Sequence, residues 1–485
     1  MLFSSFEFIF IFLPITFFIY FYLNRRKLLK ISKLFLLFAS LFFYSWWNIW
    51  YLPIIVISMV FNYIIGIYLN RVSFKKSLLY IGIISNLLLL GYFKYTDFLI
   101  ENVNLFFDKD IPLLHLALPL GISFFTFQQI AYLVDSYYNK TSDYNFINYA
   151  VFVTFFPQLI AGPIVHHEEM MPQFDNIKNK FINYKNIALG LFIFAIGLFK
   201  KVVIADSLSV WVGNGFDKAD TLTFVDAWIT SLSYTFQLYY DFSGYTDMAI
   251  GAALLFNIKL PINFNSPYKS GNIQEFWRRW HITLSRFLRD YIYIPLGGNR
   301  KGTVRTSLNL FITFLLGGIW HGAGWNFIIW GSLHGIAIVI HRLWSKLSIY
   351  IPYLLGWFLT FNFVNISWVF FRAKDFDSAI KVLSGMFGLN GLLPEGVTFS
   401  GLLSSPSSIL FDFKFSMEET SFMFLLTTVI FMGVLFGTFY MRNSIEYLKE
   451  FKPNRFYLVW FVSIVTISLL FMNSTQQTEF LYFDF

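Results

Sequence analysis

The chain has 485 residues, of which 56% are hydrophobic and only 13% are charged. This composition excludes a soluble protein with one polar surface around one core, and it indicates a membrane protein. The formal net charge is +8, but the basic residues stand in short clusters between apolar runs, where membrane proteins carry orientation signals, so no nucleic-acid partner is expected.

Apolar runs of roughly 17 to 23 residues recur along the chain, close to the ~20 residues that a helix needs to cross a bilayer. They predict an all-α polytopic membrane protein of about a dozen crossings, organised as one integral-membrane domain over residues 1–485. The first run, at 6–23, is too long for the core of a signal peptide and has no small-residue cleavage site. It is therefore expected to be a retained helix.

The basic clusters between the runs predict the orientation of the chain. Clusters after the first and third runs predict two cytoplasmic connections, so the amino terminus is expected to face outward. Their residues are Arg25, Arg26, Lys27, Lys30, Lys33, Arg71, Lys75 and Lys76. Another cluster precedes the last run at 456–472, which predicts that the tail at 473–485 also lies outside. The region 390–420 is predicted to be an outer loop.

The middle of the chain is less regular. Lys200 and Lys201 are expected to end one span, and the run at 224–256 fits either one long helix or two broken helices. That run carries Asp241 and Asp247 at membrane depth, where acidic side chains must face a partner or water. A proton pathway and an aqueous reaction chamber both remain open as explanations.

The segment at 272–291, NIQEFWRRWHITLSRFLRDY, has too many charges for a spanning helix. Read as one helix, it has a polar stripe beside an apolar one, which predicts an interfacial helix at the inner surface. The stripe consists of Arg278, His281, Ser285 and Arg289. Contact between arginines and anionic lipid would explain such a helix without any catalytic role.

The same basic residues also suit a cytoplasmic mouth that attracts a polyanionic substrate. Arg278 and Arg279 come from this segment, and Arg300 and Lys301 follow in GGNRKG at 297–302, a flexible turn with two cations. These four residues are the candidate substrate-binding cluster.

The stretch GGIWHGAGWNFIIWGSLHG at 317–335 places His321 among glycines and tryptophans in an apolar region. An ionisable residue at membrane depth is a functional candidate, and burial favours the neutral imidazole that a general base needs. The alternative is a packing histidine bonded to a neighbouring carbonyl. His334, which lies further along, is expected to have that packing role.

No metal site is expected. The chain has no cysteine, which excludes thiolate ligands as well as disulfides. The run of His166, His167, Glu168 and Glu169 contains ligand-type side chains, but adjacent positions lack the helical spacing of metal ligands.

Several strings in the chain resemble the membrane-bound O-acyltransferase (MBOAT) family, specifically its bacterial AlgI-like branch. They are PLGISFFTFQQIAYLVD, FFPQLIAGPIV, QLYYDFSGYTDMAIG, LPINFNSPY, FWRRWHITLSRFLRDYIYIPLGG, GGIWHGAGWNFIIWG and SWVFFRA. The resemblance covers most of the chain. It implies a helical bundle of about eleven or more spans with interfacial helices and a central channel, open to an acyl donor on the cytoplasmic side and to an acceptor outside.

The resemblance also implies catalytic residues. By position in the motifs, the two histidines of the family are His281 on the inner side and His321 in the channel, and His321 is expected to act as general base. Trp320, in the channel wall, and Asp241 are expected to contact substrate. The tail TEFLYFDF resembles an aromatic motif proposed to carry the acyl group, which makes Tyr482 a candidate relay nucleophile. The alternative is an interfacial aromatic anchor.

The expected function is transfer of acetyl from cytoplasmic acetyl-coenzyme A, with no permanently bound cofactor, to a periplasmic SGNH-type transferase or esterase-like partner. The chain would lie in the bacterial inner membrane, in contact with lipid, and serve O-acetylation of a cell-envelope glycan. Peptidoglycan is favoured over alginate or another exopolysaccharide, and D-alanyl transfer to teichoic acid is a further alternative. A proton-coupled transporter is the rival from another class, although no repeated halves support it.

Overall fold

The computed structural model describes residues 1–69, 71–138, 145–392, 421–474 and 478–483, without the side chains of 421–430 and 474. These residues form helices and connections, with no β-strand among them. The α-helices are α1 (Leu13–Arg25), α2 (Leu29–Ser45), α3 (Leu52–Leu69), α4 (Lys75–Phe107), α5 (Ile122–Tyr137), α6 (Phe146–Thr154), α7 (Phe156–Leu159), α8 (His167–Asp175), α9 (Tyr184–Phe199), α10 (Asp206–Gly213), α11 (Phe224–Leu255), α12 (Ile273–Arg279), α13 (Ile282–Leu288), α14 (Gly302–His321), α15 (Trp325–Lys346), α16 (Tyr353–Arg372), α17 (Phe376–Met386), α18 (Ser421–Tyr440), α19 (Ser444–Glu450) and α20 (Arg455–Ser474).

Eight helical segments of the described chain are long and apolar enough to cross a membrane. They are Phe8–Arg25, Ile49–Leu69, Lys75–Phe107, Tyr184–Lys218, Gly302–His321, Trp325–Lys346, Tyr353–Arg372 and Arg455–Asn473. Large apolar side chains such as Phe18, Ile57 and Leu88 point away from the protein interior and are exposed, as expected for helices that face lipid. The all-α membrane fold is therefore confirmed, whereas the total of eleven or more spans and the channel remain predictions.

The middle of the chain differs from the expectation in one respect. Lys200 and Lys201 do not end a span, because helix continues through them as π-helical turns within the segment Tyr184–Lys218. The run at 224–256 forms the single helix α11, which packs along α9. Gly197 allows this close approach, since a methyl group there would lie 2.5 Å from the carbonyl oxygen of Gly244.

The segment at 272–291 is not one amphipathic helix, which corrects the prediction of a continuous polar stripe. α12 ends at Arg279, and α13 begins at Ile282. Between them His281 adopts a left-handed backbone conformation with φ of 42°. This break turns the imidazole away from the surface, and His281 is fully buried.

The structure describes only parts of the two segments that are expected to lie on the outer side. The predicted loop at 390–420 lies outside the described residues apart from 390–392. Of the predicted tail at 473–485, residues 478–483 beyond the last helix are described, and they end in a 3₁₀ turn at Leu481–Phe483. That turn packs against α11, which brings the carboxyl-terminal part of the chain into the protein core.

Candidate active site

His321 is the last residue of α14, directly before the break at Gly322. The side chain is buried, with 3% of the residue exposed. Its ring lies 5.0 Å from the ring of Trp330 and 5.2 Å from that of Phe371, centroid to centroid. Within the part of the chain that the structure describes, the Nδ1 atom has no hydrogen-bond partner. A buried polar atom without a partner is unusual in a packing histidine, and it is what a proton acceptor requires.

Tyr482 reaches the same place from the other end of the chain. Its ring is buried, and the ring centroids lie 5.9 Å from His321, 6.4 Å from His281 and 4.3 Å from Phe242. Burial raises the pKa of the Tyr482 phenol well above its usual value, so the phenol is neutral and needs a base before it can act as a nucleophile. The structure thus brings together a phenol and two imidazoles.

A buried ion-pair network holds the tail in this position. The Lys201 ammonium lies 2.8 Å from both Asp206 and Asp241 and donates a hydrogen bond to the Thr478 hydroxyl over 2.9 Å. Asp241 accepts a second tail contact, from the backbone N–H of Leu481 over 2.9 Å. Because charges this deeply buried are favourable only when paired, the network and the tail depend on each other.

This network changes the interpretation of the acidic residues in α11. Asp241 binds Lys201 and the tail, and its expected contact with substrate stays a prediction. Asp247 pairs with Lys200 over 2.7 Å. Sequence reasoning missed the contribution of Lys201 and Asp206, although the five charges that form these ion pairs were a usable signal that the groups are partners.

His281 is fully buried and so is not part of an exposed polar stripe, while its place on the inner side stays a prediction. Its Nδ1 is 3.1 Å from Oδ1 of Asn263, and the same oxygen accepts hydrogen bonds from the backbone N–H and hydroxyl of Thr283. An acceptor beside Nδ1 assigns the proton to that nitrogen and leaves Nε2 as the acceptor. Burial lowers the pKa of His281 to about 3, which keeps the ring neutral.

His334 has the packing role expected of it. Its Nδ1 accepts a hydrogen bond from the indole N–H of Trp277 over 3.1 Å, and its Nε2 lies 3.0 Å from the hydroxyl of Ser367. Both ring nitrogens are therefore satisfied by α12 and α16. Trp320 lies beside His321 with its ring stacked 4.8 Å from Phe127, so it forms part of the wall of the site.

The four basic residues predicted to bind substrate stand on the surface and outside the buried site. Arg279 pairs with Glu275 one turn away on α12, at 2.6 Å. Arg278 is exposed on the same helix, whereas Arg300 and Lys301 are exposed in the turn before α14. Only Arg279 among them makes a described ion pair.

The side chains of Tyr482, His321 and His281 are all buried. The pocket that touches Tyr482 has a volume of about 20 Å³ and is walled by residues 118–124, Ile160 and Phe483. A pocket of that size holds about one water molecule. Burial keeps bulk water away from the phenol and both imidazoles, which would protect an acyl group from hydrolysis.

Comparison with known proteins shows the family of this chain. The model of the membrane-bound O-acyltransferase family matches residues 9–374. A peptidoglycan O-acetyltransferase of Helicobacter pylori is 50% identical, over 100% of this chain and 98% of that protein. A probable alginate O-acetylase, AlgI, of Pseudomonas aeruginosa is 42% identical over 80% of this chain and 75% of that protein. A teichoic acid D-alanyltransferase of Bacillus subtilis is 26% identical over 53% and 69%. The chain belongs to the membrane-bound O-acyltransferase family and is an O-acyltransferase.

Proposed function

We propose that this enzyme takes acetyl from acetyl-coenzyme A on the cytoplasmic side of the bacterial inner membrane and delivers it for O-acetylation of peptidoglycan outside. The observation that carries the proposal is the burial of the Tyr482 phenol beside His321 and His281. A phenol held at two neutral imidazoles, with water excluded, suits an acyl relay better than it suits a membrane anchor.

The relay has two balanced steps. In the first, the Tyr482 oxygen attacks the thioester carbonyl while its proton passes to Nδ1 of His321, and the carbon–sulfur bond breaks as the thiolate takes that proton. In the second, an acceptor hydroxyl attacks the tyrosyl ester. His321 accepts the hydroxyl proton and returns it to the phenolate of Tyr482. His281 stays neutral, and its Nε2 would be available as an acceptor beside the phenol.

The donor is expected on the cytoplasmic side, where the basic residues are placed by the positive-inside rule. Arg278, Arg279, Arg300 and Lys301 are exposed or half-buried, so their charges are available to the phosphates of coenzyme A. They would bind the polyanionic part of the donor at the surface while its thioester enters the buried site. The acceptor side is the outer one, where both termini are expected.

Peptidoglycan is the preferred acceptor because the Helicobacter pylori relative aligns over this whole chain, tail included. Alginate is the second candidate, since the Pseudomonas aeruginosa relative is 42% identical. In either case the acceptor hydroxyl belongs to a polymer, whereas Tyr482, His321 and His281 are buried in the protein. A periplasmic partner of the SGNH type would therefore carry the group from the membrane enzyme to the polymer.

The test uses the purified full-length protein in detergent with radiolabelled acetyl-coenzyme A. We expect release of free coenzyme A and a labelled carboxyl-terminal peptide that carries one acetyl group on Tyr482. Addition of a periplasmic SGNH-type partner and muropeptides should move the label to the glycan. Labelling from a D-alanyl thioester but not from acetyl-coenzyme A would refute the donor, and transfer to alginate oligomers but not to muropeptides would refute the acceptor.

A further inference from the structure

Two consecutive side chains of α4 contact the end of the helix that carries His321. The Lys94 ammonium donates hydrogen bonds to the carbonyl oxygens of Trp320 and His321, over 2.6 and 2.9 Å. The Tyr95 hydroxyl donates to the carbonyl oxygen of Ile319 over 2.5 Å. Three consecutive carbonyls of α14 therefore have their partners on another helix.

These carbonyls need partners because of where α14 ends. The last four carbonyls of an α-helix have no acceptor role inside the helix, and they form the negative end of its dipole. Gly322 is extended, with φ of −160° and ψ of 156°, so the chain leaves the helix directly after His321. A cation at this position satisfies the carbonyls and interacts favourably with the dipole.

Burial of a lysine to bind these carbonyls is energetically unfavourable compared with a neutral cap. An ammonium group at membrane depth is unfavourable unless it faces partners or water, and helices commonly end on a glycine motif that needs no charge. Lys94 is also 5.8 Å from the centre of the Trp320 ring, in a cation–π contact. The same ammonium thus contacts both Trp320 and His321 at the end of α14. A glycine cap would not restrain these two residues in this way.

We propose that Lys94, assisted by Tyr95, is a positioning residue that fixes the carboxyl-terminal end of α14 and thereby the orientation of the His321 imidazole. A helix end that frays would let the ring turn away from Tyr482. Misplacement of a reacting group by about 1 Å can reduce a rate about 100-fold. This inference rests on the proposed function for its kinetic consequence, but its structural consequence can be measured without any acyl donor.

The first arm of the test is kinetic and compares Lys94→Met with Lys109→Met. Lys109 is an exposed lysine just beyond the end of α4, so it controls for loss of a positive charge near the same helix. We expect Lys94→Met to lower kcat for acetyl transfer about 100-fold and to leave KM for acetyl-coenzyme A within about twofold. Lys109→Met should resemble the wild type in both.

The second arm is hydrogen exchange measured by mass spectrometry in peptides that cover residues 312–324. Loss of the charged cap should raise exchange roughly tenfold at the end of α14 in Lys94→Met, and leave it unchanged in Lys109→Met. Normal turnover in Lys94→Met would overturn the proposal. So would a fall in turnover without faster exchange, or faster exchange without a fall in turnover.

Tyr95→Phe covers the case in which Lys94→Met does not fold. It removes one neutral hydroxyl and its bond to Ile319 and should give the same two changes at a smaller size, a fall in kcat of a few-fold with locally faster exchange. Unchanged kinetics and exchange in Tyr95→Phe would then refute the proposal. A wild-type protein that transfers no acetyl would refute the proposed function, while the exchange arm would still decide the role of Lys94.

Discussion

Two buried histidines on neighbouring helices show how differently the same residue type is used in this molecule. The rings of His321 and His334 both lie against Trp330, at 5.0 and 4.8 Å. His334 has both nitrogens bonded, to Trp277 and Ser367. His321 has an Nδ1 without a partner in the described structure. Burial is common to both sites, so the bonding of the ring nitrogens is what separates a packing histidine from a reactive one.

Substitution of His321 should have the largest effect on activity. His321→Ala removes the proposed base and should lower acetyl transfer by about 10²- to 10⁴-fold, the usual contribution of general base catalysis. Turnover is measured with labelled acetyl-coenzyme A, and size-exclusion chromatography checks that the variant is monodisperse. A monodisperse variant with near-normal turnover would show that the partnerless nitrogen has no catalytic role.

Tyr482→Phe tests whether the tail reacts or only anchors. The variant keeps the ring contacts with Phe242 and the two histidines and loses only the oxygen. Transfer to the outer acceptor should therefore be lost while stability is retained. The measurement is glycan acetylation in cells together with the thermal midpoint of the purified protein. Full acetylation by the Phe variant would leave the tail as an anchor.

Lys201→Met should release the tail, and its effect on activity should be the next largest. It removes the cation that binds Asp241 and Thr478, so acetyl transfer should fall by roughly 10- to 100-fold as Tyr482 loses its position. Sensitivity of the tail to carboxypeptidase should rise at the same time. Lys200→Met is the matched control, because Lys200 pairs with Asp247. Equal tail release in both variants would contradict a specific role for Lys201.

Reversal of Arg300 should affect donor affinity more than chemistry. Arg300 is exposed and outside the buried site, so Arg300→Glu should raise KM for acetyl-coenzyme A several-fold with a smaller change in kcat. The comparison is made with initial rates over a range of donor concentrations. A fall in kcat at unchanged KM would remove Arg300 from the donor site.

His334→Leu should have the smallest effect on catalysis and so completes the comparison of the two histidines. It leaves the indole N–H of Trp277 and the hydroxyl of Ser367 without this partner, which should cost about 1–3 kcal/mol of stability. Thermal unfolding measures that loss, and turnover per folded molecule should stay close to wild type. A loss of turnover as large as that of His321→Ala would erase the distinction between the two residues.

Much of the fold could be predicted because the bilayer restricts spanning structure to a few kinds. Apolar runs of about 20 residues predict helices, since backbone polar groups in lipid must be satisfied within the segment. The same pattern failed at Lys201, where charges were taken to end a span. The lysine is instead inside a continuous helix and pairs with Asp206 five positions later and with Asp241. Asp241 lies on a different helix, and a local pattern does not indicate such a partner.

The candidate site could be predicted in part. His321 stands out because an ionisable residue among glycines and tryptophans in an apolar run is rare. His281 was expected at the surface, since a regular helix over 272–291 puts it on the polar stripe. The left-handed conformation at His281 breaks that helix and buries the ring, and helical periodicity has no means of indicating such a break.

The sequence by itself determined that the chain is a helical membrane protein of this family, because apolar runs and long specific strings are local properties of the chain. Only the tertiary structure decided that Tyr482, 161 positions beyond His321, packs against it. It also decided that Asp241 binds the tail, and that Lys94 binds the end of α14. The physical reason is that buried charges and backbone groups need partners, and these partners come from segments that are distant in sequence. A local sequence pattern does not indicate which distant segments pack together.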